Sequence, residues 1–448
     1  MLKYLVMYTI RPINSIKAEV AIPADKSISH RAVFFSAIGG KEVKIYPFLS
    51  SNDTQVTLDC IKKLGIEYYR DNFSQEAIYL QGKGLNFPKD EKVELFAGES
   101  GTTIRILSGL LVGQKFNSVF RAGDYLNERP MGRIVYPLRD MGANIDGNKM
   151  AKQEKEDIYP PLKIEPVSEL TGKCHKLNIA SAQVKSALLL AGLYAKGETI
   201  VEEPYKSRDH TERMLQSFGA DIKIDKNRVS LKPGAQLNLP KEIFIPSDFS
   251  AAAFFIVLAL ILEKSQITIK NVNLNPSRCG LLAVLKRMNA DIVIKNKKER
   301  TEPYGDIVVK NSRLSSTVVE PDEIAAMIDE VPIFCVAAAY AKGQTQIKGL
   351  GELKVKETDR VFSMVSNLSQ SGVDILDRNN RQDGCQITIN GGCSYSGGDF
   401  KSFGDHRTAM SLIIFALAAK SKSKIDDIRC IDKSFPGFIK IIEEFKAR

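Results

Sequence analysis

Hydroxyl, cationic and carboxylate side chains recur together at short spacing along this chain, each time at the opening of an apolar run. The first cluster, Asp25-Lys26-Ser27-Ile28-Ser29-His30-Arg31, places two cations and two hydroxyls within about two helical turns, with Ser27 and Arg31 on one face. That face suits a phosphate or carboxylate, although an ordinary capped helix start uses the same residue types. In Gly98-Glu99-Ser100-Gly101-Thr102-Thr103-Ile104-Arg105, a glycine among hydroxyls lets backbone N–H groups approach an anion while Arg105 supplies charge. Glu128-Arg129-Pro130-Met131 follows, and Ser181-Ala182-Gln183-Val184-Lys185 opens another helix mainly with hydrogen-bonding groups. Lys354-Val355-Lys356-Glu357-Thr358-Asp359-Arg360 puts Lys356 and Arg360 on one predicted helical face, with Glu357 one turn from Arg360. A carboxylate held among cations beside a ligand can transfer protons; a salt-bridged exposed helix has the same spacing. Asp405-His406-Arg407 again combines an acid, a titratable ring and a guanidinium.

The elements that must position these residues repeat. A small, polar or basic opening, an apolar helix of about three turns, a Lys/Gly stop and a β-rich run recur six times, about 75 residues apart. The openings are Ser27 to Arg31, Ser100 to Thr103, Ser181 to Gln183, Asp248 to Ser250, Asp329-Glu330 and Asp405 to Arg407. Segments such as Ala251 to Ile261 and Thr408 to Ala419 are apolar nearly all round, which predicts helices buried on most sides. Period-2 stretches after them, such as Glu198 to Glu202 and Gln344 to Lys348, predict half-buried strands. Second helices end near Met141-Gly142, Phe218-Gly219 and Met288-Asn289. The chain therefore reads as an α/β module repeated six times. The prolines and glycine in 231–241 mark a break between two halves of three modules. Helix starts facing one cleft would offer oriented N–H groups to an anion.

Composition narrows the partners. The 448 residues carry a net charge of +10, with 44% hydrophobic and 26% charged residues, which suits a globular chain of two or three domains and anionic ligands. No block of five like charges occurs, so a small anion is a better partner than nucleic acid or a membrane. Seven scattered cysteines without a CxxC pair predict reduced thiols in a cytoplasmic protein. Four histidines without an HExxH motif predict no metal site. The N-terminal apolar run reads as a first strand rather than a signal segment, and Phe249 to Leu262 is too short to span a bilayer.

The motifs DKSISHR, GESGTTIR, ERPM, SAQVKSALLL, KVKETDR, DHRTAM and KSFPGF occur in the order found in the enolpyruvyl transferases of the shikimate pathway. The resemblance runs from about Ile13 to Phe438. It implies two inside-out α/β domains, each of three βαβαββ-type units. It also implies a discontinuous first domain, 1–20 plus 241–448, a second domain, 21–240, and a hinge near 19–22 and 236–246 on which the halves close. The activity implied is transfer of the enolpyruvyl group of phosphoenolpyruvate to the 5-hydroxyl of shikimate 3-phosphate, by addition and elimination through a tetrahedral intermediate. It needs no cofactor and no metal, acts on small-molecule substrates as a monomer, and is the target of the herbicide glyphosate.

By the same resemblance, Lys26, Ser27, Arg31, Ser181, Ala182, Gln183, Arg208, Asp329 and Lys356 contact shikimate 3-phosphate. Lys26, Gly101, Arg129, Gln183, Arg360, Arg407 and Lys433 contact phosphoenolpyruvate. Asp329 is the base at the hydroxyl, and Glu357 is the acid and then the base at C3, with Lys26 as the competing acid. Because cations around Glu357 favour its charged form, it is expected to gain its proton only with both anions bound.

Glu99 stands where asparagine is usual in that family, and Ile106 where some members carry proline. The nearest alternative of the same fold acts on UDP-N-acetylglucosamine and carries a reactive cysteine in a mobile loop. Arg278-Cys279-Gly280 is superficially similar to that loop but lies in the wrong half, and 110–120 contains no cysteine. An RNA 3′-phosphate cyclase-like protein is the alternative of another class. It needs aromatic platforms, whereas this chain has 8% aromatic residues and no tryptophan.

Overall fold

The computed structural model describes residues 7–447 apart from 72, 73, 75, 90, 153, 154, 235 and 381–383. Residues 1–6 of the predicted first strand lie outside them, and the strand itself is Tyr8–Ile10.

The polar clusters become helix starts because their side chains satisfy amides that the first helical turn leaves unpaired. Asp25 accepts from the Ile28 amide at 3.0 Å, Ser100 from Thr103 at 3.2 Å, Ser181 from Val184 at 3.4 Å and Asp248 from Ser250 at 2.7 Å. Asp405 caps two amides, those of Arg407 and Thr408, at 2.7 and 3.2 Å. Among the described residues, helices of eight residues or more come in pairs, one pair per module. They are α1 (Lys26–Ile38) and α2 (Asn52–Lys63), α3 (Gly101–Leu111) and α4 (Gly132–Asp140), and α5 (Ala182–Gly192) and α6 (His210–Ser217). The later pairs are α7 (Phe249–Ile261) and α8 (Gly280–Arg287), α9 (Val331–Tyr340) and α10 (Arg360–Ser369), and α11 (His406–Leu417) and α12 (Phe438–Lys446).

The first helix of each pair lies in the interior. Every residue of α11 is buried, and so is every residue of α7 from Phe249 to Leu260. The second helices bury one stripe, as α12 does with Phe438, Ile442 and Phe445. The strands around each pair follow one order. Val93–Phe96 runs parallel to Ser118–Arg121 across α3; Ser118–Arg121 is antiparallel to Lys155–Glu165, which forms a hairpin with Asn144–Lys152. The same parallel, antiparallel, antiparallel order recurs in all five four-stranded sheets among the described residues. The sixth module has three strands, Asp399–Phe400, Ser423–Ile425 and Tyr8–Ile10. Five of the modules are thus βαβαββ, and the sixth keeps the parallel and first antiparallel pairings with one strand fewer among the described residues.

The chain divides into two compact units, Met1–Pro23 with Pro246–Arg448, and Ala24–Ile245. The segment 231–241 lies inside the second unit, because Glu242–Phe244 goes on to pair with Lys44 to Tyr46. Likewise Lys17–Val20 pairs with Gln266 to Ile269, supplying the first strand of the α7 module. Each unit has its own continuous apolar core. In one, α7, α9 and α11 pack on one another, and Phe255 meets Phe435, Phe438 and Phe445 at ring-centroid distances of 5.8 to 6.0 Å. Each such side chain contributes about 1.5–3 kcal/mol by burial. In the other unit, α3 and α5 approach so closely that a Cβ on Gly109 would stand 2.2 Å from the Ala187 carbonyl oxygen. Among the described residues no helix is long and apolar enough to cross a membrane.

Candidate active site

In the unit Ala24–Ile245, the N-terminal turns of α1, α3 and α5 carry most of the predicted anion contacts, while Arg129 and Arg208 lie in the links before α4 and α6. Arg31, 3% exposed, donates from Nε to Thr211 Oγ1 at 2.7 Å, from Nη2 to Ser186 Oγ at 2.9 Å and from Nη1 to the Ser27 carbonyl at 3.0 Å. The i,i+4 face expected for Ser27 and Arg31 is therefore formed, and the guanidinium ties α1 to α5 and α6. Lys26 pairs with Asp53 at the start of α2, 3.2 Å away. His30 is fully buried with Nδ1 2.7 Å from Thr57 Oγ1; burial first, then Lys26 and Arg31, holds its pKa well below the usual histidine value. It is a neutral structural group.

Gly101, Arg105, Arg129 and Gln183 come together. A Cβ on Gly101 would stand 2.8 Å from Arg105 Nη1 and 3.2 Å from Arg129 Nη1. Arg105 donates to Gln183 Oε1 at 3.0 Å, and Gln183 donates to Thr102 Oγ1 at 3.1 Å. Two guanidinium groups thus lie directly over a glycine at a helix N-terminus, an arrangement whose charges and N–H groups suit an anion. Ser181 and Ala182 share the α5 start with Gln183. Arg208 is half-buried just before α6, beside Ser207, whose buried hydroxyl has no hydrogen-bond partner among the described residues. Glu99 accepts the Leu126 amide at 2.8 Å, and Ile106 is fully buried in the core.

In the other unit, Arg360 gathers three carboxylates. Its Nη2 meets Glu357 at 2.6 Å, Nε meets Asp405 at 2.8 Å and Nη1 meets Asp329 at 3.2 Å. Buried but surrounded by Asp405, Glu357 and Asp329, Arg360 is held even more firmly in its charged form than usual. Arg407 binds the same Asp329 twice, from Nη1 to its carbonyl at 3.2 Å and from Nη2 to its carboxylate at 3.3 Å. Lys356 feels Asp329, Arg360 and Glu357; burial dominates and brings its pKa down to about 8. Lys433 ends a short 3-10 turn, Arg429–Lys433, packed on α11. His406 is buried at the first residue of α11.

The predicted helical face shared by Lys356 and Arg360 does not exist. A 3-10 turn ends at Val355, Lys356 is extended, and α10 begins only at Arg360. The reason is Asp359, which caps the Phe362 amide at 2.9 Å and so starts the helix after Lys356 and Glu357. Cys279 is half-buried, with its thiol donating to the Asn273 carbonyl at 3.2 Å.

Sequence analysis met Lys185, Asp248 and Glu330 only as parts of helix openings and Arg278 only beside Cys279, and it passed over Glu203 and Glu212, so the buried pairings beneath these clusters were missed. Lys185, 1% exposed, pairs with Glu203 at 2.6 Å and Glu212 at 2.7 Å. Arg278, equally buried, pairs with Asp248 and Glu330, each at 3.0 Å. Lys185 shows in sequence only as a cation one turn into an apolar helix, and Arg278 as a cation two residues before one. Among the described residues no group of His, Cys, Asp and Glu is placed to hold a metal ion.

A family model described as EPSP synthase (3-phosphoshikimate 1-carboxyvinyltransferase) matches residues 10–442. The chain belongs to the EPSP synthase family. Relatives named 3-phosphoshikimate 1-carboxyvinyltransferase, from Citrifermentans bemidjiense and Petrotoga mobilis, are 42% and 44% identical over 437 and 445 residues. These matches cover 97% and 98% of this chain and 98% and 99% of the relatives. The solved EPSP synthase of Acinetobacter baumannii is 37% identical with a TM-score of 0.84, covering 98% of each chain. The enolpyruvyl transferase NikO of Streptomyces tendae has a TM-score of 0.73 at 14% identity, covering 98% of this chain and 97% of its own, and shares the fold. The α/β modules described above are thus those of the EPSP synthase and enolpyruvyl transferase fold.

Proposed function

We propose that this chain transfers the 1-carboxyvinyl group of phosphoenolpyruvate to the 5-hydroxyl of shikimate 3-phosphate and releases phosphate. The observation that carries this reading is the family match over residues 10–442. The clustering of Gly101, Arg129 and Gln183 in one unit, and of Asp329, Glu357, Arg360 and Arg407 in the other, supports it.

In this reading the 5-hydroxyl oxygen bonds to C2 of phosphoenolpyruvate while C3 takes a proton and becomes a methyl group. The C2–O bond to phosphate then breaks, C3 returns a proton, and the enol ether forms. Asp329 accepts the hydroxyl proton; Arg360 and Arg407 hold it as a carboxylate. Glu357 gives and then removes the C3 proton, with Lys26 as the rival donor. Arg129, Arg360, Arg407 and Lys433 neutralise phosphoenolpyruvate and its departing phosphate. Lys26, Ser27, Arg31, Ser181, Ala182, Gln183, Arg208 and Lys356 take shikimate 3-phosphate. The reading places the enzyme in the cytoplasm as a monomer with small-molecule partners, consistent with its net charge of +10 lacking a basic block. It also includes hinge-like movement at the two chain crossings and inhibition by glyphosate at Gly101.

The test is phosphate release from phosphoenolpyruvate with shikimate 3-phosphate, with UDP-N-acetylglucosamine, and with neither. Release that requires shikimate 3-phosphate and is lost in Lys26→Ala is expected. Release with the sugar nucleotide, or with no acceptor, overturns the reading.

A further inference from the structure

We propose that Glu203, together with Lys185, is a positioning residue that sets the spacing of the shikimate 3-phosphate contacts in the Ala24–Ile245 unit. This inference rests on the reading above. Glu203 follows the strand Thr199–Glu202, and its side chain is 1% exposed. Its Oε1 accepts the amide of Ser181 at 3.0 Å, while its Oε2 accepts the amide of Ser207 at 3.2 Å and the Lys185 ammonium at 2.6 Å. Lys185 also donates to the Ser207 carbonyl at 3.4 Å and pairs with Glu212 of α6 at 2.7 Å. One carboxylate therefore joins the N-cap of α5 to the segment leading into α6.

Those two segments are the ones that matter for the ligand. Ser181, Ala182 and Gln183 are consecutive at the start of α5, and Arg208 directly follows Ser207. A third tie runs between the same helices, where Ser186 and Thr211 bond each other at 2.6 Å and both receive Arg31. Neither the Ser181 nor the Ser207 amide is part of a helix or strand ladder, so Glu203 is their shared acceptor rather than an addition to regular structure. Two carboxylates and one ammonium, all buried, are a poor way to gain stability, because apolar replacements of such groups are often neutral or better. What the arrangement supplies is geometry: the distance and orientation of two segments that must meet the same anion. Misplacement of such groups by about 1 Å is enough to weaken binding strongly.

The experiment measures steady-state kinetics of wild type, Glu203→Ala and Glu203→Gln, together with thermal midpoints and direct calorimetric binding of shikimate 3-phosphate alone. In Glu203→Ala, KM and Kd for shikimate 3-phosphate are expected to rise about tenfold, the effect of losing one to two hydrogen bonds to positioned amides. KM for phosphoenolpyruvate at saturating acceptor, which this segment reaches through Gln183 alone, is expected to rise by no more than about threefold, and kcat to stay within about twofold. Glu203→Gln keeps an oxygen acceptor but loses the charge, and is expected to recover about half of the logarithmic loss. If the alanine variant does not fold, the glutamine variant decides: a selective rise in KM for shikimate 3-phosphate supports the inference. Unchanged KM and Kd in the folded variants, or a parallel rise for both substrates, overturns it while leaving the reading intact. A wild type that shows no turnover requiring shikimate 3-phosphate and no binding of it overturns the reading and this inference together.

Discussion

Arg360 Nη2 donates to the Glu357 carboxylate at 2.6 Å although the two residues share no helix. Glu357 sits in the non-helical link before α10, 35% exposed at its side chain, while Arg360 is 2% exposed at the helix start. In the proposed reaction this carboxylate, on a link and held by a guanidinium, transfers the C3 proton. Glu357→Gln keeps the size and one acceptor but cannot move a proton. Turnover is expected to fall about 100-fold or more, with both KM values within about threefold. Phosphate-release kinetics at saturating substrates check this; near-normal turnover removes Glu357 from the chemistry.

Arg360→Lys tests the three-carboxylate hub. An ammonium is a point charge and cannot meet Glu357, Asp405 and Asp329 along three directions as the guanidinium does. Asp405 is fully buried, so weakening its partner is expected to cost up to about 3–5 kcal/mol of stability. Urea denaturation should show the midpoint falling at unchanged slope, alongside a higher KM for phosphoenolpyruvate. An unaltered midpoint would show that the hub does not stabilise the fold.

Gly101→Ala sets a methyl group 2.8 Å from Arg105 Nη1 and 3.2 Å from Arg129 Nη1. Both atoms end flexible side chains, so the fold should survive while the guanidinium groups move. KM for phosphoenolpyruvate is expected to rise about tenfold, equivalent to about 1.4 kcal/mol, and inhibition by glyphosate to weaken by more. Inhibition curves on both proteins decide. Equal inhibition would place the herbicide elsewhere.

Lys356 gives a pH signature, since burial brings its pKa down to about 8. An anion bound beside it favours the ammonium form, so binding takes up a proton and affinity falls as pH rises above about 8. In the absence of ligand the sign is opposite: the unfolded chain holds this proton up to the ordinary lysine range, so stability rises between about pH 8 and 10.5 from this group. Calorimetric titration of shikimate 3-phosphate in buffers of different ionisation enthalpy should show proton uptake near pH 8. Uptake unchanged in Lys356→Met would assign it to another residue.

Acid stability should follow the buried histidines. His30, and to a lesser degree His175, have pKa values lowered mainly by burial. Their folded forms refuse a proton that the unfolded chain accepts below its ordinary value of 6.5. Stability is therefore present in full above that value and is lost as pH falls, at about 1.4 kcal/mol per pH unit for each proton. Unfolding midpoints from pH 7 to 5 should show a shallower decline in His30→Gln, and an identical decline would overturn the assignment.

The sequence carried the modules well because module architecture is a local property. Asp25, Ser100, Ser181, Asp248 and Asp405 cap the helices they precede, and apolar runs that cannot face water had to become interior helices. The one failed local reading, a helix through Lys356 and Glu357, ignored Asp359 as a cap; spacing of charges cannot tell a helical face from a link before one. The family and its reaction were legible because several ordered motifs are far more specific together than any one alone.

Residue order alone thus determined the sixfold module, the polar helix starts and the family. Tertiary structure alone decided which charges meet. Arg360 reaches Asp405 across 45 residues and Asp329 across 31, and Glu203 joins Ser181 to Ser207. Such pairings depend on which helix starts the packed cores bring within hydrogen-bond distance, a quantity that falls off over a few ångströms and leaves no periodic trace in sequence. Burial then set the protonation preferences of His30 and Lys356, because desolvation is a property of the assembled interior and not of any residue's neighbours along the chain.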